Sequence, residues 1–469
     1  MRRTSFLAAV VGLFASVSPL AAQQGGRQLD WDAINREAVT LLSEYLKINT
    51  SNPPGNEMLG IQWLKGILEK EGFEVQVLDT AKLGATHGNL YTRLKGNGSK
   101  KAIALVHHVD VVPATPSYWS VDPFSGAIKD GYLYGRGALD MKGEGIVHLV
   151  AMLALKRAGV PLNRDIVYIA NSDEELTSTG AIAFVDAHPD LLRDVEFLIT
   201  EGGDNPVRNG KLEYFGISVA EKRTFWQKLT VKGTPSHGSR PTKQNPVPRL
   251  IAAVHKIAQY ETPLHVTPGV ARYFRDISVN YTGQQRAWLA DVRAAIRDPR
   301  ARTWLTNDIY WNAILRNTIA PTGLYGSDKT NVIPPEASAV IDIRLLPDQN
   351  PDSVLATLKR IVNDPAVTFQ TLLAPKTPLE NPIDTDLFRA IERASKERDP
   401  KVLVTTPMLT GATDRPTYRK LGIITYGLDP FRVETSDSQR GVHGNDERVS
   451  VENVAFAVRY IYDILRYVQ

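Results

Sequence analysis

The residues of this chain able to do chemistry fall in short clusters that follow apolar runs. HHVDVVP places His108 and Asp110 just beyond a run ending at Val106, and YGRGALDMKG holds Asp140 in a glycine-punctuated loop that opens a helical pattern. NSDEELTSTGA sets the adjacent acids Glu174 and Glu175 past a third run, Glu201-Gly202-Gly203 closes a fourth, and His443 lies far along in GVHGNDERVS. Taken singly, each has an ordinary reading: a histidine after a strand is often structural, and an Asp before a helix is often its cap. Taken together, His108, Asp140, Glu175, Glu201 and His443 supply two imidazoles and three carboxylates. With no cysteine in the chain, thiolate nucleophiles and thiolate metal sites are excluded. The remaining donor set is borderline to hard and suits Zn²⁺, with Mn²⁺ or Co²⁺ held less selectively. Three carboxylates in one cleft repel one another unless cations offset them, so a site for two divalent ions is expected. A carboxylate at Asp110 can accept the second ring N–H of His108 and fix its tautomer.

Such clusters need a scaffold that gathers strand ends. Short runs rich in Val and Ile recur over 74–78, 101–106, 165–170 and 195–200, with a helix over 143–158 stopped by Gly159 and Pro161. Helical patterns begin at Asp30 and run over 58–68. Strands separated by helices imply an α/β domain with a mostly parallel sheet and flanking helices. Ligands bind such sheets beyond the carboxyl ends of the strands, and His108, Glu175 and Glu201 all follow strands expected to be parallel neighbours. Near residue 222 the pattern changes. Residues 225–231 and 337–345 alternate apolar and polar side chains, as in a sheet with one wet face, beside helices over 245–257 and 351–362. The expected organisation is a catalytic domain in two parts, 28–221 and 376–469, around an inserted smaller α+β lid or dimerisation domain at 222–375. The Trp and Tyr residues between Trp288 and Tyr310 are assigned to helix packing. His107 is placed on the sheet face opposite His108, and His148 is read as packing or surface.

The chain has 469 residues, 43% hydrophobic and 23% charged, the make-up of an ordinary folded protein. A net charge of +4 argues against a dedicated nucleic-acid binder. Residues 1–22 carry Arg2 and Arg3, an apolar stretch over 6–17 and the small pair Ala21-Ala22, the pattern of a signal peptide removed on export. The stretch is too short and interrupted for a membrane anchor. A secreted protein is expected, periplasmic in a host with an outer membrane.

HHVDVVP, WSVDPFSG, YGRGALDMKG, DEELTSTGA, the Glu201-Gly202 turn, TPSHGSRP, TNVIPPEASAVIDIRLLP, GATDRPTYRKLG and VHGNDERVS resemble, in order, the co-catalytic two-zinc metallopeptidases of the aminoacylase/carboxypeptidase family. The branch containing carboxypeptidase S and the N-fatty-acyl-amino-acid hydrolases is the most similar in look. The resemblance implies that Asp140 bridges two metals, that His108 and Glu201 complete one site, and that Glu175 and His443 complete the other. It makes Glu174 the general base acting on a bridging water, with Asp110 orienting His108. It also implies that His237 reaches over the cleft, often from a partner subunit, to stabilise the oxyanion. Asn331 and Arg344 look like a substrate clamp in which Arg344 grips a terminal carboxylate, and Gly411 and Thr413 resemble a loop offering donors to the same end. The implied activity is cleavage of an amide beside a free carboxylate, in a small peptide or an N-acyl amino acid. Two other classes share these features: a di- or tripeptidase that recognises a free amino terminus, and an exported solute-binding protein that holds no stoichiometric metal.

Overall fold

The computed structural model of the chain describes residues 27–378, 380–436 and 441–469; the signal peptide expected at 1–22 lies outside them. Among the described residues no helix is long and apolar enough to cross a membrane. The larger sheet has six strands in the spatial order Val75–Leu78, Asn89–Leu94, Ile166–Asn171, Ala102–His108, Val195–Thr200 and Ile424–Gly427. The last four run parallel, and the first two form an antiparallel border. This is the expected α/β architecture. The strand Asn89–Leu94 (NLYTRL) has too few apolar residues to stand out in sequence, yet it joins the parallel strands to the edge.

The helix Lys142–Ala158 is buried at 15 of its 17 positions, which explains its apolar residues on all sides. It lies between the sheet and the helices Trp31–Leu46 and Val451–Tyr467. Asp30 caps the first of these by accepting the Ala33 N–H at 3.0 Å, and Gly159 ends the central helix in the left-handed region, φ 64°. His107 turns to this face, packed against Tyr168 and 3.4 Å from the Tyr45 hydroxyl. A Cβ at Gly145 would come within 2.3 Å of its ring, so the helix approaches His107 only because that position is glycine. His148 is also buried.

The second sheet is antiparallel. Trp226–Lys232 lies between Glu336–Leu345 and Val367–Leu373, and Thr318–Tyr325 borders Glu336–Leu345 on its other side. Pro321 inside that border strand coincides with a register shift, consistent with an edge position. The alternating residues of Glu336–Leu345 face the helices Pro246–Ala258 and Pro351–Val362. Asn245 caps the first of these from its side chain, with Pro246 in its first turn. The segment from Pro268 to Ile314 folds as short helices around Phe274, Leu289 and Trp311, and its core extends onto Tyr214 and Met408. Trp304 meets Trp288 at a tilt and Trp311 edge to face there, so these tryptophans do pack among helices.

Candidate metal centre

The three parallel strands Ile166–Asn171, Ala102–His108 and Val195–Thr200 deliver Glu175, His108 and Glu201 to one end of the larger sheet. The loop before Lys142–Ala158 brings Asp140, and the loop before Arg448–Ser450 brings His443. The donor atoms of His108, Asp140 and Glu201 lie within 4.8 Å of one another, as do those of Asp140, Glu175 and His443. Asp140 belongs to both groups. Its Oδ1 is 3.0 Å from His108 Nε2 and its Oδ2 is 3.1 Å from His443 Nε2; His443 Nε2 is 3.2 Å from Glu175 Oε2. Glu175 Oε1 is buried without a hydrogen-bond partner.

Electrostatics at these groups favour bound cations. Burial opposes ionisation of Asp140, but hydrogen bonds from the two imidazoles hold its carboxyl below the usual range. Asp140 and Glu175 pull His443 up to about 10. Burial works against a charged His108, yet Asp140 and the charge of Glu201 raise it well above the ordinary histidine value. Burial and Asp140 push Glu201 up in turn. The cluster thus gathers positive charge wherever a side chain can carry it, and the sulfur-free donor set fits divalent cations. Glu174 lies on the same cavity; burial and the charge of Glu201 raise its carboxyl well above 4.5.

The groups around these residues show how they are held. His108 Nδ1–H donates to the backbone carbonyl of Asp110 at 2.9 Å, leaving Nε2 for the cluster. The Asp110 carboxylate, expected to orient His108 directly, stands 3.6 Å from Nδ1 and instead accepts the backbone N–H groups of Glu174 and Glu175, each at 3.1 Å. The main chain does the orienting because Asp110 immediately follows the strand, and its side chain turns to the neighbouring acidic loop. Asn52 ties this loop further by donating to Asp110 at 3.0 Å and Asp173 at 2.9 Å. Asp173 also accepts from the Thr177 hydroxyl at 2.7 Å and the Thr179 N–H at 3.3 Å, which accounts for the threonines of DEELTST.

Glu447, four residues beyond His443, went unread in the sequence. Its Oε1 accepts the backbone N–H groups of Gly137, Leu139 and Asp140 at 3.2, 2.8 and 3.1 Å. Its Oε2 accepts from buried Arg136 at 2.6 Å, and Arg136 also reaches the His443 carbonyl at 3.4 Å. One carboxylate therefore pins the Asp140 loop to the His443 loop. The nearby repeat of acids in GVHGNDERVS was the only signal available.

The cluster opens into a cavity of about 270 Å³. Beyond the acids, its lining includes Lys222, Arg223, Trp226, Arg344, Lys376 and Gly411. Arg344 is gripped at two nitrogens by Asp342, 2.9 and 3.2 Å, and donates to Thr224 at 3.0 Å. Thr413 corrects its expected role: it is 1% exposed, and its hydroxyl donates to Glu221 at 2.7 Å while accepting from Arg415. That hydroxyl is occupied in holding the buried Arg415–Glu221 pair, 2.9 Å apart, at the cavity wall. His237 and Asn331 are exposed neighbours at the antiparallel pairing of Ser236–His237 with Val332–Ile333, two strands distant in sequence, where the Gly238 N–H donates to the Asn331 carbonyl at 2.7 Å. Neither lines the cavity of its own chain.

Comparison with known proteins agrees with this geometry. The chain matches peptidase family M20/M25/M40 over residues 104–467. It is 30% identical to the human N-fatty-acyl-amino acid synthase/hydrolase PM20D1 over 81% of this chain and 76% of that protein. It is 27% identical to the probable carboxypeptidase S-like 2 of Dictyostelium discoideum over 78% of this chain and 72% of that one. The fold of the M20 family metallo-carboxypeptidase Sso-CP2 from Sulfolobus solfataricus superimposes with a TM-score of 0.72 at 19% identity, covering 92% of this chain and 99% of that one. A match of that extent, on a fold whose strand ends converge on a shared carboxylate, places the chain in peptidase family M20/M25/M40 as a metallopeptidase/amidohydrolase.

Proposed function

We propose that this enzyme hydrolyses the amide bond of small peptides or N-acyl amino acids that carry a free carboxylate, using two divalent cations, most simply zinc. His108, Asp140 and Glu201 would hold one cation, and Asp140, Glu175 and His443 the other. Bound there, the ions supply Lewis-acid polarisation of the scissile carbonyl and acidify water. Glu174 takes a proton from the attacking water and returns one to the departing amine nitrogen, so the amide C–N bond breaks as the new C–O bond forms. Its raised proton affinity suits a carboxylate that must hold that proton between the two transfers.

The observation that carries the substrate reading is the polarity of the cavity. Acids crowd the metal end, while Arg223, Arg344 and Lys376 line the remainder; Lys222 borders it too, but its ammonium is held by the carbonyls of Ala313 and Arg316 and the Thr318 hydroxyl. Glu221, the one acid lining that remainder among the described residues, is held by Arg415 and Thr413. This end suits a carboxylate and gives a free amino terminus no open acid, which disfavours the aminopeptidase alternative. Arg344, oriented by Asp342, is the group best placed to grip the carboxylate bidentately. Glu174→Gln should abolish turnover while metal content is retained. Arg344→Ala should raise KM for free-acid substrates and leave their amidated analogues unaffected; an equal effect on both would remove the clamp.

His237 and Asn331, exposed and away from their own cavity, serve the site of a second copy in this reading. The border strand Thr318–Tyr325 has one side unpaired among the described residues, with Leu324 and Tyr325 exposed, and such an edge can pair with its own copy by two-fold symmetry. Export with removal of residues 1–22 completes the proposal; amino-terminal sequencing of the mature protein tests it.

A further inference from the structure

A second cavity, of about 460 Å³, shares no lining residue with the metal centre. It lies between the hairpin Pro206–Leu212 and the helical segment from Pro268 to Ile314. Five aromatic side chains line it, Tyr214, Tyr273, Tyr281, Tyr310 and Trp311, together with the carboxylate of Asp204. Asp204 is exposed at the edge of the cavity, and the desolvation of its carboxyl, with the charge of Glu213, pushes it up to about 6. Its Oδ2 accepts the Tyr214 hydroxyl at 2.9 Å, and no Lys, Arg or His among the described residues pairs with it.

The other charges of the lining are committed elsewhere. Arg208 is fixed on Glu213 at 2.7 Å, and Asp308 caps the helix Ile309–Ile314 by accepting the Trp311 N–H at 2.8 Å. With Arg208 paired to Glu213, the lining keeps two carboxylates without a cationic partner among the described residues, Asp204 and the capping Asp308, beside a wall of aromatic rings. An anion is repelled there. An ammonium bearing alkyl groups meets both features at once: Coulomb attraction to the carboxylate, and cation–π and apolar contact with the rings, the combination found in aromatic cages for quaternary ammonium groups.

We propose that this cavity binds a small organic cation, an alkyl-substituted or quaternary ammonium, between Asp204 and the aromatic wall formed by Tyr273, Tyr281 and Trp311. The probe is choline, compared with its uncharged isostere 3,3-dimethylbutan-1-ol, titrated calorimetrically into the full mature chain. Choline is expected to bind one per chain, and the isostere at least about tenfold more weakly. Asp204→Asn should cost choline about tenfold and leave the isostere unchanged. Tyr281→Leu, a change at a half-buried ring, should weaken choline while the melting temperature confirms folding. Equal affinity for choline and the isostere would make this an apolar pocket and overturn the proposal, as would the absence of any choline binding at millimolar concentration. Native-like binding to both variants would place the cation elsewhere and overturn it equally.

Discussion

Glu447→Gln tests whether the link between the Asp140 and His443 loops holds the metal centre in shape. The amide oxygen can still face the N–H groups of Gly137, Leu139 and Asp140, but as a neutral acceptor, which loses roughly 1 kcal/mol at each of three hydrogen bonds. The amide nitrogen then faces Arg136, a donor 2.6 Å away and 3% exposed. Breaking a buried ion pair from one side costs about 3–5 kcal/mol. Part of this appears as stability, a fall in melting temperature on the order of 10 °C. Part appears as looser placement of Asp140 and His443, and outer partners of metal ligands typically contribute 10–100-fold in metal affinity or activity. The assay is metal retention by Glu447→Gln against a graded series of chelator concentrations, followed by elemental analysis and kcat/KM. The expected result is a folded protein that releases metal at about 10–100-fold lower chelator. Metal affinity and kcat/KM unchanged from the native chain would refute the role given to Glu447.

Two further outcomes follow from the same structure. Glu57 is buried with no hydrogen bond to either carboxyl oxygen, His87 Nε2 standing 3.5 Å from Oε2, and burial followed by the charge of Asp110 raises it to about 8. Because the folded state keeps this proton while the unfolded state releases it, stability should fall as pH rises from about 4.5 to 8. The slope is about 1.4 kcal/mol per pH unit and the total at most ~5 kcal/mol. Glu57→Gln should therefore match the native chain near pH 4 and exceed it at pH 9 in denaturant titrations; a difference independent of pH would contradict this. If His237 serves the partner's site, His237→Ala and Glu174→Gln chains are each inactive alone, and random mixing restores about one quarter of native activity through mixed dimers. Mixed dimers that form without recovering activity would return His237 to its own chain.

Much of the cluster was legible because three of its five residues follow apolar runs of strand type. His108, Glu175 and Glu201 close three adjacent parallel strands, and strand length and Val/Ile content suffice to place them. What sequence could not supply was distance between loops. Glu447 reads as one acid among several in NDERVS, and only the fold sets it against Gly137 and Asp140, some 310 residues earlier. Asp110 does face His108, 3.6 Å from Nδ1, but its backbone carbonyl makes the hydrogen bond and its carboxylate also ties down the Glu174-Glu175 loop. Thr413 looked available because a hydroxyl in a loop usually is; burial against Glu221 and Arg415 is a tertiary fact. The edge strand Thr318–Tyr325 was hidden by Pro321, which weakens a strand signal wherever it falls.

The most direct measurement is elemental analysis of the folded, unchelated chain alongside hydrolysis of a free-acid N-acyl amino acid. Two divalent ions per chain are expected, with activity lost on chelation and regained on adding either zinc, manganese or cobalt. A fully active protein that carries no such ions would contradict the centre assigned to His108, Asp140, Glu175, Glu201 and His443.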